Sequence, residues 1–514
     1  MFVQIHALFS KIKSMSWLAW LVVLTVVAAA VLRFYNLEDS QQFLGDQGRD
    51  SMVVSRIFTE RDPVFIGPVT SIGNMYLGPL YYYFMLPFLW LSYPSPMGPI
   101  YAVAALGTLT VLMTYIVGKR IVGGRAAAIA AFFMAFSSTA VIHSRFSWNP
   151  NPAPLISLLM VYATSKAWEG RHRYWIAVAT CFAVLIQLHY VALLSAGGAG
   201  IIWLLSLKEA KQKSEGWELL KSTLVAAGVV IASFLPLFLF DLKHDWLNVR
   251  AFLNLFVKEE AFVGTGSVDL GRTLSQLAIR FRRRLYLLMS DFLFGQPGSW
   301  RAAAAVITSV LSMLPLMLQR RKSDQYFKQY VVLMSYLLVG LIGITIYRQT
   351  IYNHYILYLL PVIALLLGLV FDKVLKINLL TSWAVLAFAI VFVVSNWPKM
   401  PLKDAGWKLS DISRTADAIA QRVTPGEKYN IVLLATSRDL YGQNYRYFLF
   451  THKGKEPINP ELEVEADTLF IINEEGVAGN VTDLPIYQIE IFPNKEPAEI
   501  FRVQNGPEIT VLRN

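Results

Sequence analysis

Cysteine is all but missing from this chain. Cys181 stands alone inside an apolar stretch, which excludes a disulfide within the chain and a thiolate metal cluster. Charge is scarce too: Asp, Glu, Lys and Arg make up 16% of the 514 residues, where a soluble domain carries about a quarter. No Gly-rich phosphate loop, internal repeat or low-complexity tract occurs, which argues against a nucleotide-binding P-loop and against a repeat architecture. The opening apolar stretch lacks a small-x-small cleavage site and runs on into an acidic loop, so it reads as an uncleaved anchor.

What the chain has in abundance is apolar length. Hydrophobic residues reach 55%, and runs suited to a hydrocarbon layer of about 30 Å recur across 17–395. About eleven spans are expected, near 16–34, 99–118, 126–142, 153–168, 174–188, 191–207, 222–240, 302–319, 329–347, 355–371 and 379–395. In lipid only helices or closed barrels satisfy the backbone, and runs of this length make helices. Alternate loops sort by charge: Lys11 and Lys13, Lys119 with Arg120 and Arg125, Arg171 with Arg173, the lysines of 208–221, the basic cluster of 320–328, and Lys373 with Lys376 fall on one side. That side reads as cytoplasmic. The sorting holds only if the apolar run 76–91 does not cross. With the amphipathic run 50–60 it is expected to form a juxtamembrane helix in the outer interface.

The expectation is a polytopic α-helical protein of the plasma (inner) membrane with a cytoplasmic N-terminus. Residues 1–395 form its membrane domain, with long external loops at 35–98 and 241–301, and 396–514 a small external α/β domain. The net charge of +11 divides accordingly, with −4 on 396–514 and +15 on the rest. The basicity belongs to the membrane part, not to a nucleic-acid site. In the last region, helices are expected at 410–423 and 439–450, and strands at 429–435, 468–473, 487–492 and 509–512.

Candidate chemistry gathers in the external loops. The first opens as Phe43-Leu44-Gly45-Asp46-Gln47-Gly48-Arg49-Asp50, two carboxylates and an arginine leading into a helix. Asp46 suits either an N-cap or a base, since glycines allow close approach and a carboxylate at a membrane boundary is poorly solvated. The loop His143-Ser144-Arg145-Phe146-Ser147-Trp148-Asn149-Pro150 offers an arginine fork for phosphate and an indole face for a pyranose, or simply a turn. His189 and Tyr190 close one span, while Arg348, His354 and Tyr355 precede another; interfacial packing is the plain alternative for the rings. Asp241, His244 and Asp245 are a sparse trio for a divalent metal. Arg280, Arg282, Arg283 and Arg284 suit either lipid head groups or a carrier phosphate.

Four motifs arrive in one order: the acidic loop at Asp46, Gly-Pro-Leu-Tyr-Tyr at 78–82 with Tyr81 and Tyr82, Gly-Lys-Arg-x-x-Gly-Gly-Arg at 118–125, and His-Tyr-x-x-Tyr-Leu-Leu-Pro at 354–361. Together they resemble the GT-C glycosyltransferases, in the branch of protein mannosyltransferases and the lipid A aminoarabinose transferase, over about residues 10–395. The resemblance implies transfer of a sugar from a polyprenyl-phosphate donor to a lipid, glycan or protein acceptor. It implies no required cofactor, a first-loop aspartate near the reacting centre (Asp46, or Asp50 in its place), and loop cations on the lipid phosphate. The chain departs from the pattern at Asn149, where many relatives carry an acid, and at Leu77-Gly78-Pro79, where relatives often carry Lys-Pro-Pro. A transporter or flippase of lipid-linked saccharides, or a non-catalytic assembly subunit, is the competing reading. A transporter predicts charges at mid-membrane and two related halves, and neither is evident in the sequence.

Overall fold

The computed structural model describes residues 16–70, 75–257, 270–295, 325–347, 350–436, 439–452, 454–459, 465–477, 479–504 and 506–514. The expected span at 302–319, the basic cluster of 320–324, Lys11, Lys13 and Arg348 lie outside them.

The first apolar run is helix α1 (Trp17–Phe34), begun by the Ser16 hydroxyl accepting the Ala19 N–H. Two short helices follow, α2 (Gly45–Thr59) and α3 (Leu80–Ser92). At 1.5 Å per residue each is roughly 20 Å long, and neither is among the described helices long and apolar enough to cross a membrane. They pack on each other, and α3 packs on α4 (Met97–Ile121). Then come α5 (Gly124–Phe136), α6 (Ser138–Ile142), α7 (Ala153–Trp168), α8 (Tyr174–Leu188), α9 (Leu194–Gln212), α10 (Gly216–Lys243), α11 (Leu247–Val257), α12 (Leu270–Phe294), α13 (Gln325–Ile346), α14 (Leu360–Val374) and α15 (Leu379–Asn396). Every expected span within the described residues falls on helix. Seven described segments are long and apolar enough to cross a membrane, those of α1, α4, α9, α10, α13, α14 and α15, while α5 and α8 are shorter apolar helices.

Burial separates the lipid face from the protein core. The apolar windows of α10 and α15 are only 6% and 11% buried, whereas that of α14 is 78% buried. Helices apolar all round yet uncovered need a hydrocarbon solvent, so this is a helical membrane protein. Small residues allow close helix contact: α14 crosses the alanine-rich α5 where a Cβ on Gly368 would lie 2.2 Å from the Ala126 carbonyl oxygen.

The expected span at 126–142 is interrupted at Ser137, between α5 and α6, and side chains satisfy the freed backbone there. Asn396 Oδ1 accepts from both the Ser138 N–H and hydroxyl at 2.8 Å, Ser137 donates to the Phe292 carbonyl, and Thr139 to that of Asp291. Two buried arginines hold helix C-termini in the same manner. Arg33 donates to the carbonyls of Met134 and Ala135 at the end of α5, and Arg145 to Leu32 and Tyr35 at the end of α1. Each guanidinium faces carbonyls carrying the negative end of a helix dipole, which compensates its charge without a carboxylate.

After α15 the chain forms α16 (Leu409–Ala420), β1 (Tyr429–Leu434), α17 (Gln443–Thr451), β2 (Thr468–Asn473), the helical turn α18 (Tyr487–Glu490), β3 (Pro497–Arg502) and β4 (Glu508–Arg513). The sheet order is β1-β2-β4-β3, with β1 and β2 parallel from the pair Tyr429 and Thr468, and the other pairings antiparallel. One expectation fails: 487–492 is not a strand but a helical turn, because the buried residues are Ile489 and Phe492, three apart. The exposed edge strand β3 was not expected at all.

This α/β unit docks on α2. Phe43, 1% exposed, sets its ring edgewise against Tyr447 and Phe448 of α17, with centroids at 5.8 and 5.6 Å. Backbones nearly touch at Gly48, where a Cβ would fall 2.4 Å from the Gln443 carbonyl oxygen, so α17 can approach α2 only because that residue has no side chain.

Candidate active site

Helix α2 begins at Gly45 after an uncapped Leu44, so Asp46 is not its N-cap but a first-turn residue beside the positive end of the helix. Asp46 Oδ1 accepts from Arg49 Nη1 at 2.8 Å, and Arg49 also holds Asp50 Oδ1 through Nε at 3.0 Å and Nη2 at 2.8 Å. The two carboxylates differ in setting. The Asp46 side chain is 50% exposed, whereas that of Asp50 is 2% exposed. Tyr82 from α3 donates to the same Asp50 oxygen at 3.2 Å, and Asp50 Oδ2 has no hydrogen-bond partner among the described residues. Burial pushes the Asp50 carboxyl above the ordinary carboxylate range, with Arg49 opposing it. The Arg49 guanidinium stays charged despite its burial because both aspartates lie against it.

Asp46 and Arg49 both line a cavity of about 410 Å³ whose other walls come from distant parts of the chain. Trp148, Asn149, His189, Tyr190, His354 and Tyr355, all singled out in the sequence, line it, although more than two hundred residues separate the first from the last. Their rings form one cluster: Trp148 to His354 is 4.3 Å between centroids, and His189 to Tyr355 and His354 to Tyr355 are both 4.5 Å. Asn149 is fixed by donating to the Leu188 carbonyl at 2.5 Å, and Tyr190 by donating to that of Tyr76. Burial pulls the His189 imidazole down to about 4, so it is neutral near pH 7. Much of the remaining lining is aliphatic, including Leu77, Leu194 and Ile344.

Other expected site residues are placed differently. Arg145 does not line this cavity; beyond the end of α1 its guanidinium also donates to the Ser40 hydroxyl oxygen at 2.7 Å, so it is a structural cation and not a free phosphate ligand. Tyr81 is buried and shares a hydrogen bond with Ser147 at 2.8 Å, supporting α3 rather than facing the cavity. His143 lies outside the lining, with Nδ1 on the Thr139 carbonyl. Asp241 accepts the N–H groups of Asn248 and Val249, which makes it the cap of α11. His244 is exposed, stacked on Phe240 and bonded to its carbonyl. Asp241 and His244 are thus each engaged locally, and no group of three His, Cys, Asp or Glu side chains suited to a metal occurs among the described residues.

On α12 the arginines divide by face. Arg282 and Arg283 are exposed, while Arg280 and Arg284, four apart and so on one side of the helix, are half-buried. Arg284 lies close enough to Tyr347, a cavity-lining residue, for the two to influence each other's ionisation. The sequence marks the cluster but not which members turn inward. Asp439, just ahead of α17, also escaped the sequence reading. It comes near enough to Asp46 to feel its charge, and burial raises its carboxyl above the ordinary range.

No family model matches the chain, and no curated protein sequence matches it either. Solved structures do. ArnT from Cupriavidus metallidurans, in a crystal structure bound to undecaprenyl phosphate, aligns with a TM-score of 0.59 at 13% identity, covering 96% of this chain and 98% of that one. Its apo structure aligns with the same score over 95% and 97%. The Archaeoglobus fulgidus oligosaccharyltransferase, in a complex with zinc and sulfate, aligns at 0.50 and 12% identity, covering 88% of this chain and 68% of its own. Over nearly its whole length, then, this chain has the GT-C-type fold of these membrane proteins, the fold that the order of its sequence motifs implies.

Proposed function

We propose that the protein is a membrane glycosyltransferase that moves a hexose or pentose from a polyprenyl-phosphate donor to a hydroxyl-bearing acceptor. The reaction takes place on the external face of the plasma membrane, with the N-terminus cytoplasmic and the unit 396–514 outside. The observation that carries this reading is the Asp46–Arg49–Asp50 cluster, whose Asp46 and Arg49 line a cavity with aromatic walls that is mostly apolar. An apolar wall suits a prenyl chain, and Trp148 offers a flat face to a sugar ring. That ArnT, whose fold this chain shares, was crystallised with undecaprenyl phosphate supports the class of donor.

In the proposed displacement the acceptor oxygen bonds to the anomeric carbon as the bond from that carbon to the phosphate oxygen breaks. Asp46, the carboxylate within reach of solvent and cavity, takes the acceptor proton, a form of help that contributes roughly 10² to 10⁴ in rate. Arg49 fixes Asp46, and Asp50 with Tyr82 fixes Arg49, so Asp50 is a positioning residue. Arg284 would balance charge on the departing phosphate, and Arg348, outside the described residues, is the second candidate for that role. The donor is already activated, so the chemistry asks for no nucleotide or redox cofactor. A divalent ion is compatible with it, but Asp241 is committed to α11.

The test is transfer in proteoliposomes from radiolabelled polyprenyl-phosphate sugars to membrane fractions, with and without a chelator. Wild-type protein is expected to release polyprenyl phosphate and label one fraction under both conditions. Leaflet-to-leaflet movement of intact donor within the proteoliposomes, with no cleavage, would instead establish the flippase reading.

A further inference from the structure

We infer that the cavity at the ends of α1 and α15 binds an anionic phospholipid of the surrounding leaflet. It measures about 1,140 Å³, more than the roughly 300 to 1,000 Å³ usual for a drug-sized ligand. Two apolar helices of membrane length end at it, and each is closed by an aromatic residue that lines it: Tyr35 follows α1, and Trp397 follows α15. Tyrosine and tryptophan at the ends of spans mark the boundary between hydrocarbon and head groups. The cavity therefore lies at the depth of the lipid phosphates.

Its lining is amphipathic, as a lipid requires. Val31 and Leu32 of α1, with Ile142 and Met400, are apolar, and Val31 is also exposed, so the cavity shares a wall with the lipid-facing side of α1. The polar part of the lining includes Gln42, Lys403 and the indole of Trp397, all able to donate to a phosphodiester. Gln47 lines it as well, 6% exposed, and its Oε1 has no hydrogen-bond partner among the described residues. That amide can turn toward a ligand without giving up a bond made by its oxygen.

Charge selects the head group. Asp404 is the one carboxylate among the lining residues, and it is already held by Asn36 Nδ2 and Lys408 Nζ, both at 3.0 Å. Lys403 beside it is exposed and makes no ion pair among the described residues. Arg145 donates only to carbonyls and a hydroxyl, so it adds positive charge to the lining without itself serving as a ligand. A phosphodiester with no cation of its own balances this excess, whereas a zwitterionic head group brings a second positive charge. The bound lipid also braces the approach to α2. Phe43 and Gln47 line the cavity, and the linker on its other side is tied to 39–41 by the Ala405 N–H on the Asp39 carbonyl at 2.9 Å and the Leu409 N–H on the Gln41 carbonyl at 3.0 Å.

The experiment is native mass spectrometry of the full chain in mild detergent, titrated separately with phosphatidylglycerol and phosphatidylcholine. Wild-type protein is expected to retain one phosphatidylglycerol, at a lipid concentration roughly fivefold lower than phosphatidylcholine needs, the effect of about one lysine. Lys403→Ala should bind the two lipids alike, and Trp397→Ala should weaken both; each residue is exposed, so neither change opens the core. Trp383→Ala, which removes an exposed aromatic of α15 outside the lining, should bind as wild type does. Equal retention of the two lipids by wild type, or a Lys403→Ala or Trp397→Ala protein that binds as wild type does, would overturn the inference. No sugar donor is present in these titrations, so the transferase reading would stand. Displacement of the retained lipid by added polyprenyl phosphate would overturn the inference as well, by giving the cavity to the donor's carrier.

Discussion

Replacing Asp46 and Asp50 separately by asparagine should split stability from chemistry. The Asp46 side chain is half exposed and its Arg49 partner one-quarter exposed, so the pair is worth roughly 0.2 to 1 kcal/mol. Asp46→Asn should therefore leave the thermal midpoint within about 2 °C of wild type in a chain of this size, yet lower transfer by roughly 10² to 10⁴ through loss of the base. Asp50 is buried and takes two bonds from Arg49 and one from Tyr82. Breaking a buried pair costs roughly 3 to 5 kcal/mol when a charge is stranded. In Asp50→Asn the Arg49 guanidinium keeps Asp46, and the new amide oxygen can keep the Tyr82 bond, so about 1 to 3 kcal/mol is expected. The assay pairs fluorescence-detected thermal unfolding in detergent with initial rates of transfer. An Asp46→Asn protein that retains full activity, beside an Asp50→Asn protein that is inactive and as stable as wild type, would exchange the two roles and refute the assignment.

Three further outcomes can be checked with the same material. Gly48→Ala forces a Cβ against the Gln443 backbone and should cost about 1 to 3 kcal/mol, read as earlier proteolysis of the C-terminal unit in limited digestion. Arg145→Gln leaves carbonyls at the end of α1 unpaired and should cost about 2 to 5 kcal/mol, seen as lost folding yield, with donor affinity of the surviving protein unchanged. His189 has a folded pKa of about 4 against an ordinary 6.5. Its contribution is therefore present above pH 6.5 and lost as pH falls toward 4, by roughly 3 kcal/mol at most. The thermal midpoint should drop across that window, and less steeply in His189→Gln.

Much of this was legible in the sequence because it depends on local pattern. Apolar runs of fixed length give the helices, and loop charge marks 76–91 as a run expected not to cross. The Asp46–Arg49 pair sits within one helical turn, so sequence spacing already predicts its contact. The gathering of Trp148, His189 and His354 was legible only as three polar groups at the ends of spans, since no local rule states that those ends meet. Arg145 misled because an arginine fork suits helix-end carbonyls as well as phosphate, and only the packing of α1 decides between them. The sequence offered Arg280, Arg282, Arg283 and Arg284 alike, and exposure turns the choice to Arg280 and Arg284. Asp439 was invisible because its approach to Asp46 depends on the docking of a separate unit through Gly48.

The most direct test of the central claim is a cryo-EM structure of the full chain in nanodiscs with a polyprenyl phosphate added. The account predicts phosphate density in the cavity of Trp148, His189 and His354, facing Asp46 and Arg49, with the prenyl chain running along the aliphatic wall at Leu194 and Ile344. Density instead in the larger cavity of about 1,140 Å³ bounded by Arg145, Trp397 and Met400 would contradict it.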